Sequence, residues 1–583
     1  MENLDGTGAG SGVAIGVAEP LASRVDVEER HIATDRLVAE LLRFEAAIES
    51  TDAEMAEAAA LARALGSGGV GAELVDAHRA ILRSDELTVG ARRLIRERRL
   101  GAEWAVRTVL DEVRSVFERM SDERFRARLA DVEAVADRLL RTLLHRPALH
   151  STARLDGKIA VGLELSPLDA LHLHRLGIAG IATERGGPTS HAAILARALG
   201  IPYVFGVAGL VERVTGGETI CLDAARGQVV VDPDAHTLRE FERRRGDVEA
   251  RSRAVIAATL HTPAATLDGA PIAIGANVES AADVEAAIGA GADHIGLVRT
   301  ELLYLGRSAL PSEEEQWVDA VEIVRAAGGR TVTFRTLDLG GDKLPSGVRG
   351  SVGPNPALGL RGIRLSLRRP DLFRTQLRAL YRASALGPVR IMFPLVACVT
   401  ELRAAHEICR AVRDELAAAG EPHDPHVPLG AMIETPSAVI TADHIAAACA
   451  FVSVGTNDLV QYAFAADRED AEMAAMYQPF HPTVLRALQQ VFAASARAGC
   501  DVSVCGNMAG DPANAWMLIG LGLRSFSMSA REIPFVKSLL QRTAVAEAER
   551  LAADALRLDD PAAIHALARA RLGDRFALEL GRG

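Results

Sequence analysis

LGAMIETPSAVITADHIAAACAFVSVGTN, residues 429–457, sets two short apolar runs on either side of a helical segment. LGAMIE (429–434) and FVSVGTN (451–457) are nearly uninterrupted, the texture of strands covered on both faces. The same unit recurs outward in both directions. PIAIGANV (271–278), HIGLVR (294–299), TVTFRTL (331–337) and VRIMFPLV (389–396) precede it, and DVSVCGN (501–507) and SFSMS (525–529) follow. Eight strands separated mostly by helical segments, over about 300 residues, predict a (β/α)8 TIM barrel within residues 261–583.

Upstream the texture changes twice. KIAVGLEL, GIAGIAT, YVFGV, TICLD and QVVVD, from about Lys158 to Asp232, are short β-branched runs divided by glycine and predict a compact α/β domain. Between Pro20 and Pro147 there is no proline, and Leu37, Leu41, Phe44, Ile48 and then Val132, Val135, Leu139, Leu143 recur at helical spacing. That stretch predicts a helical bundle. Its first half is acidic (Glu40, Glu45, Glu49, Asp52, Glu54, Glu57) and its second half carries Arg92, Arg93, Arg96, Arg98 and Arg99, both read as solvated helix faces. The opening GTGAGSGVAIG has no helix after it and reads as turn and strand, not as a nucleotide loop. FERRRGDVEARSR, inside 234–260, reads as a charged connecting helix.

Composition narrows the function classes. Of the 583 residues 49% are apolar and 24% charged, an ordinary globular balance, and the net charge of −12 argues against a nucleic-acid-coating surface. The acidic start Met1-Glu2-Asn3-Leu4-Asp5 is no secretory signal, and uncharged runs such as 198–211 are too short to span a membrane. A soluble, cytoplasmic protein is expected. Six cysteines without a C-x-x-C pair suggest neither a disulfide framework nor a zinc site. Only Lys158, Lys343 and Lys537 are lysines.

Barrel enzymes carry their reactive groups where strands end. Arg299, Thr300 and Glu301 follow the second strand; Arg335 lies on the third, before Asp338, Asp342 and Lys343; Glu434 ends the fifth, Asn457 and Asp458 the sixth, and Cys505 lies in the seventh. Arg361 stands in the loop GLRGIR and Arg468 follows the sixth strand. Arginines grip phosphate and carboxylate through paired hydrogen bonds, and carboxylates without histidine suit Mg²⁺. Elsewhere, GGPTSH (186–191) leads into HAAILARAL, so His191 meets the positive end of a helix, a field that favours a neutral imidazole and then a phosphoryl group.

GGPTSHAAILARALGIP is similar to the phosphohistidine signature shared by Enzyme I of the bacterial phosphotransferase system, phosphoenolpyruvate synthase and pyruvate phosphate dikinase. IGLVRTELLY, FRTLDLGGDK, NPALGLRGIR, MIETPSAV, SVGTNDLVQYAFAADR and VCGNMAGDP resemble the barrel segments of that family. The helical stretch, inserted between two parts of the α/β domain, resembles Enzyme I, and HRAILRSDEL (78–87) is similar to its helical region.

The resemblance implies a phosphohistidine domain in 1–20 and 148–233, a helical domain for the phosphocarrier HPr in 21–147, a linker helix in 234–260 and a phosphoenolpyruvate-binding, dimerising barrel in 261–583. It implies that His191 takes the phosphoryl group of phosphoenolpyruvate and passes it to HPr. Arg299, Arg335, Lys343, Arg361, Asn457 and Arg468 would hold the substrate, Glu434 and Asp458 would bind Mg²⁺, and Cys505 would protonate the enolpyruvate to pyruvate. The phosphohistidine domain must then swing between two sites. Pro188, Asn507 and Gly12 depart from the family pattern, which has arginine or lysine, glutamate and proline there. With no sensory module ahead of the insert, the nitrogen-type relative is less expected. A nitrogen-regulatory or dihydroxyacetone-kinase carrier in place of HPr, or a non-catalytic regulator, are the other readings.

Overall fold

The computed structural model describes residues 1–9, 12–21, 27–64, 75, 78–79, 81–118, 123–144, 154–187, 190–304, 309–340, 356–466, 473, 476 and 478–573. The chain forms two compact units, one built on Met1–Ala250 and the other on Arg251–Arg468 with Ala475–Leu580.

The first unit holds β1 (Glu2–Asp5), β2 (Thr7–Ala9), β3 (Val13–Pro20), β4 (Lys158–Gly162), β5 (Gly180–Thr183), β6 (Tyr203–Phe205), β7 (Thr219–Asp223) and β8 (Gln228–Val231). They make one sheet in the order β1-β8-β7-β3-β4-β5-β6-β2. Its centre, β3 to β6, is parallel, and the flanking pairs are antiparallel. Parallel neighbours need crossovers. Helices Pro167–Arg175 and His191–Leu199 supply two of them. The third, from β3 to β4, is the whole helical insert, with Leu37–Ala64, Gly90–Arg98, Ala102–Glu118 and Glu123–Leu143.

Insert and α/β helices share one apolar core, in which Phe44, Met55 and Leu139 join Leu171 and Leu195. The acidic and basic runs of the insert, expected as separate solvated faces, partly meet each other. Arg92 Nε lies 2.6 Å from Glu45 Oε1, while Asp52 of the acidic run takes two arginines from outside the basic run, Arg79 at 3.0 Å and Arg83 at 2.6 Å. Forty-odd residues separate Glu45 from Arg92, so local charge patterning could not reveal the pair.

Strand β1 is not evident from sequence because Glu2-Asn3-Leu4-Asp5 has no apolar run; it is an edge strand against β8. Gly12 has φ +130°, which a proline ring cannot adopt, so the proline of the family pattern does not fit this backbone. Helix Ala235–Thr259 follows the sheet, laced by i,i+4 pairs such as Arg243–Asp247 at 3.1 Å.

The second unit is a closed parallel barrel of β9 (Ala273–Val278), β10 (His294–Arg299), β11 (Val332–Arg335), β12 (Val389–Phe393), β13 (Leu429–Ile433), β14 (Phe451–Val454), β15 (Asp501–Val504) and β16 (Ser525–Met528), with β16 pairing back onto β9. The strands are shorter than the apolar runs at several ends, because the last residues of TVTFRTL, FVSVGTN and DVSVCGN already turn into loops or helices. Cys505 accordingly sits one residue past β15. Outward side chains pack under the helices, while Leu297, Met392, Met432, Phe451 and Cys505 fill the interior. No helix among the described residues is long and apolar enough to cross a membrane.

Candidate active site

Every strand of the barrel runs the same way, so one rim collects all the residues at strand ends. Arg299 closes β10, Arg335 closes β11, Glu434 follows β13, Asn457 and Asp458 lie in the first turn of helix Thr456–Phe464 after β14, and Cys505 follows β15. Arg361 is the N-cap of helix Gly362–Arg368.

These side chains form one network with further carboxylates, Asp338, Glu301 and Glu279. Asp338, Glu434 and Asp458 each bring an oxygen within 4.8 Å of the others, and all three are buried. Asp338 is the member not foreseen as a ligand; it stands in the glycine-rich loop after β11, where spacing alone could not separate it from Asp342. Arg361 Nη2 binds Asp338 at 3.1 Å and Asp458 at 3.3 Å, and its Nη1 donates to Tyr462 Oη at 3.3 Å. Arg335 reaches Asp338 at 2.9 Å and Glu301 at 3.2 Å. Its Nε is buried without a hydrogen-bond partner among the described residues. Arg299 pairs with Glu279 at 3.3 Å. The named contacts thus set three guanidiniums against five carboxylates.

Supporting bonds hold these groups in place. Glu434 Oε1 accepts from the Leu395 amide at 2.6 Å, and the Asp338 amide donates to Glu301 at 2.9 Å. Gly362 has φ +56° and a Cβ there would lie 3.2 Å from Asp338 Oδ1, so the turn that presents Arg361 demands glycine. At Gly455 a Cβ would come within 2.5 Å of Glu434 Oε2. Asn457 donates to Asn507 Oδ1 at 3.3 Å and accepts from the Asn507 backbone amide at 3.0 Å.

Charge and burial tune the groups. Burial, with Asp458 and Asp338 beside it, pushes Glu434 up to about 8 against the pull of Arg335 and Arg361. Burial works against the Arg335 guanidinium, yet Glu301 and Asp338 hold it above its usual range, and Asp338 does the same for Arg361. Burial also raises Glu279 despite Arg299. The Cys505 thiol, 4% exposed, is pushed up by burial, with Ser453 and Arg335 pulling the other way. It therefore keeps its proton at neutral pH.

The three buried carboxylates are hard oxygen donors with no histidine or thiolate among them, a set that fits Mg²⁺. Arg335 and the neighbouring Arg299 bring two guanidiniums side by side, a pairing that suits a small anion.

In the first unit His191 opens helix His191–Leu199, whose N-cap Ser190 accepts from the Ala193 amide at 3.2 Å and whose end is closed by Gly200 at φ +71°. Lys343, Arg468 and Pro188 lie outside the described residues, as does the side chain of His191.

Family models match three stretches: the PEP-utilising enzyme N-terminal model over 5–128, the mobile-domain model over 155–227 and the PEP-binding-domain model over 253–545. The phosphoenolpyruvate-protein phosphotransferase of Cupriavidus necator is 40% identical over 587 residues, covering 97% of this chain and 99% of that protein. The Bacillus subtilis protein of that name is 36% identical over 551 residues, covering 94% and 96%. A solution structure titled as Enzyme I (nEIt) covers 42% of this chain and 99% of its own at 28% identity, with a TM-score of 0.35.

Proposed function

The chain belongs to the PEP-utilising enzyme family as an Enzyme I-type phosphotransferase, and from that premise we propose that it moves the phosphoryl group of phosphoenolpyruvate to His191 and on to a small histidine phosphocarrier of the HPr kind, releasing pyruvate. One observation carries the reading: buried Asp338, Glu434 and Asp458 gathered beside Arg335 and Arg361 at the rim of the barrel.

In the proposed reaction Arg299 and Arg335 grip the phosphate and carboxylate, with Lys343, Arg361, Asn457 and Arg468 completing the hold. Mg²⁺ held by Glu434 and Asp458, with Asp338 beside them, would supply positive charge for the phosphoryl oxygens. The imidazole of His191 attacks phosphorus, a P–N bond forms, and the bridging P–O bond breaks with its electrons on the enol oxygen. As the carbonyl re-forms, the terminal methylene carbon takes the proton of Cys505. Arg335 then steadies the resulting thiolate, the charge interaction that already draws Cys505 downward.

His191 has two partners to visit in turn, so the same proposal assigns 1–20 and 148–233 as the mobile phosphohistidine domain, 21–147 as the carrier-docking domain, 234–260 as the hinge-bearing linker and 261–583 as the substrate-binding and dimerising barrel. The work belongs in the cytoplasm, where phosphoenolpyruvate is found.

Incubation with phosphoenolpyruvate labelled in its phosphate, in Mg²⁺ buffer, is expected to give an acid-labile phosphoprotein and stoichiometric pyruvate, and added HPr should discharge the label. No label at all would overturn the proposal; label that only a nitrogen-regulatory or dihydroxyacetone-kinase carrier removes would reassign the acceptor alone. Cys505→Ala is expected to slow pyruvate formation by about 10²–10⁴-fold while leaving substrate affinity within a few-fold, since a general acid acts in the transition state. Rapid-quench kinetics beside equilibrium binding separates the two, and equal losses in both would remove Cys505 from that role.

A further inference from the structure

Glu279 has no part in the reaction as written, yet it lies against one of its anion-binding groups. Register puts it there. Val278 of β9 stands beside Val298 of β10, so the next residues, Glu279 and Arg299, leave adjacent strands side by side. One pleat lower, Asn277 and Leu297 point inward, Asn277 to the Cys505 carbonyl at 2.9 Å and Leu297 into the interior cluster with Cys505, so residues 279 and 299 share that inward face. The Glu279 amide is tied to Asp283 at 3.0 Å, the same carboxylate that boxes the start of helix Ala281–Gly289, which fixes where Glu279 begins. Its carboxylate meets Arg299 Nη1 at 3.3 Å with the two side chains 11% and 20% exposed.

We propose that Glu279 is a built-in competitor for Arg299: its carboxylate holds the guanidinium that an anionic substrate group must take, and so sets the affinity of the rim for small phosphorylated carboxylic acids. The proposal rests on the reading of Arg299 as an anion-binding residue. Binding exchanges one charge-assisted pair for another, so only the difference between them appears as affinity. Once the incoming anion has taken Arg299, Glu279 remains as a like charge beside it, and Glu301 adds to the negative surroundings of that corner. This opposition applies to substrate and transition state alike, because Glu279 touches neither the transferred phosphoryl group nor the protonated carbon. It therefore belongs in KM, not in kcat.

Glu279→Gln keeps the shape and one acceptor oxygen while removing the charge. Its KM for phosphoenolpyruvate is expected to fall about fivefold with kcat within about twofold, and its Kd for inorganic phosphate in Mg²⁺ buffer, read by calorimetry, should fall in parallel. Glu279→Asp, which keeps the charge, should stay near the parent protein in both. An unchanged or higher KM and phosphate Kd in the glutamine variant would overturn the proposal. Should the glutamine variant lose its native circular dichroism, Glu279→Ser, which also removes the charge, is measured in its place against the same two constants. If the parent protein turned over no phosphoenolpyruvate, the functional reading would fall, and the phosphate titration alone would still decide this one.

Discussion

His191→Ala protein, mixed with labelled phosphoenolpyruvate and Mg²⁺, is expected to carry no acid-labile label and to release no pyruvate. The effect is complete in the proposed reaction because both transfers pass through His191, so losing its imidazole removes the covalent intermediate they share. Alanine is the best helix former, and it would occupy the first position of helix His191–Leu199 with the Ser190 cap and the Gly200 terminus unchanged, so the fold should tolerate it. Calorimetry with phosphoenolpyruvate should still register binding, since the rim groups all lie in the other unit. Label persisting in this variant would move the phosphoryl acceptor elsewhere.

The second large effect is expected at Glu434. Glu434→Gln retains the oxygen that accepts from the Leu395 amide, so the loop after β12 keeps its anchor, but the charge that draws a cation is gone. Loss of a partner behind a metal ligand typically costs 10–100-fold in metal affinity, and loss of a ligand should cost at least about 100-fold. Activity should vanish at Mg²⁺ levels that saturate the parent protein. The pH dependence gives a second signature. The Glu434 pKa is raised, to about 8, so near neutral pH the carboxyl of the metal-free protein keeps a proton that a cation must displace. Apparent Mg²⁺ affinity of the parent protein should therefore rise with pH up to about 8, and that rise should flatten in the glutamine variant. Metal titrations at several pH values check both; equal affinity in the two proteins would exclude Glu434 as a ligand.

Much of this arrangement was legible before any coordinates. LGAMI and FVSV are continuous apolar runs because parallel strands are covered on both faces, and the rim residues follow from the rule that barrels react where strands end. What escaped has physical causes. Glu2–Asp5 is a polar edge strand that only its partner β8 makes a strand. Asp338 joins Glu434 and Asp458 through a loop whose path residue spacing does not encode. Glu279 is visible only as the partner of Arg299, because strand register, not sequence distance, brings the two together, while Glu301, legible at the end of the second strand, gains its partner Arg335 only in the fold. Between helices, packing does the same for Glu45 and Arg92.

The adjacency of β3 and β4 bears on how the protein is born. Val17 finds its partner Lys158 about 140 residues downstream, so a ribosome adding roughly 5–20 residues per second leaves β3 waiting on the order of 10 s for its neighbour. The residues made during that interval include Phe44, Met55 and Leu139 of the insert, which belong to the same core as Leu195. The sheet that bears His191 therefore cannot close its β3–β4 pair until the whole insert has been made, and the finished insert shares its core with that sheet's helices.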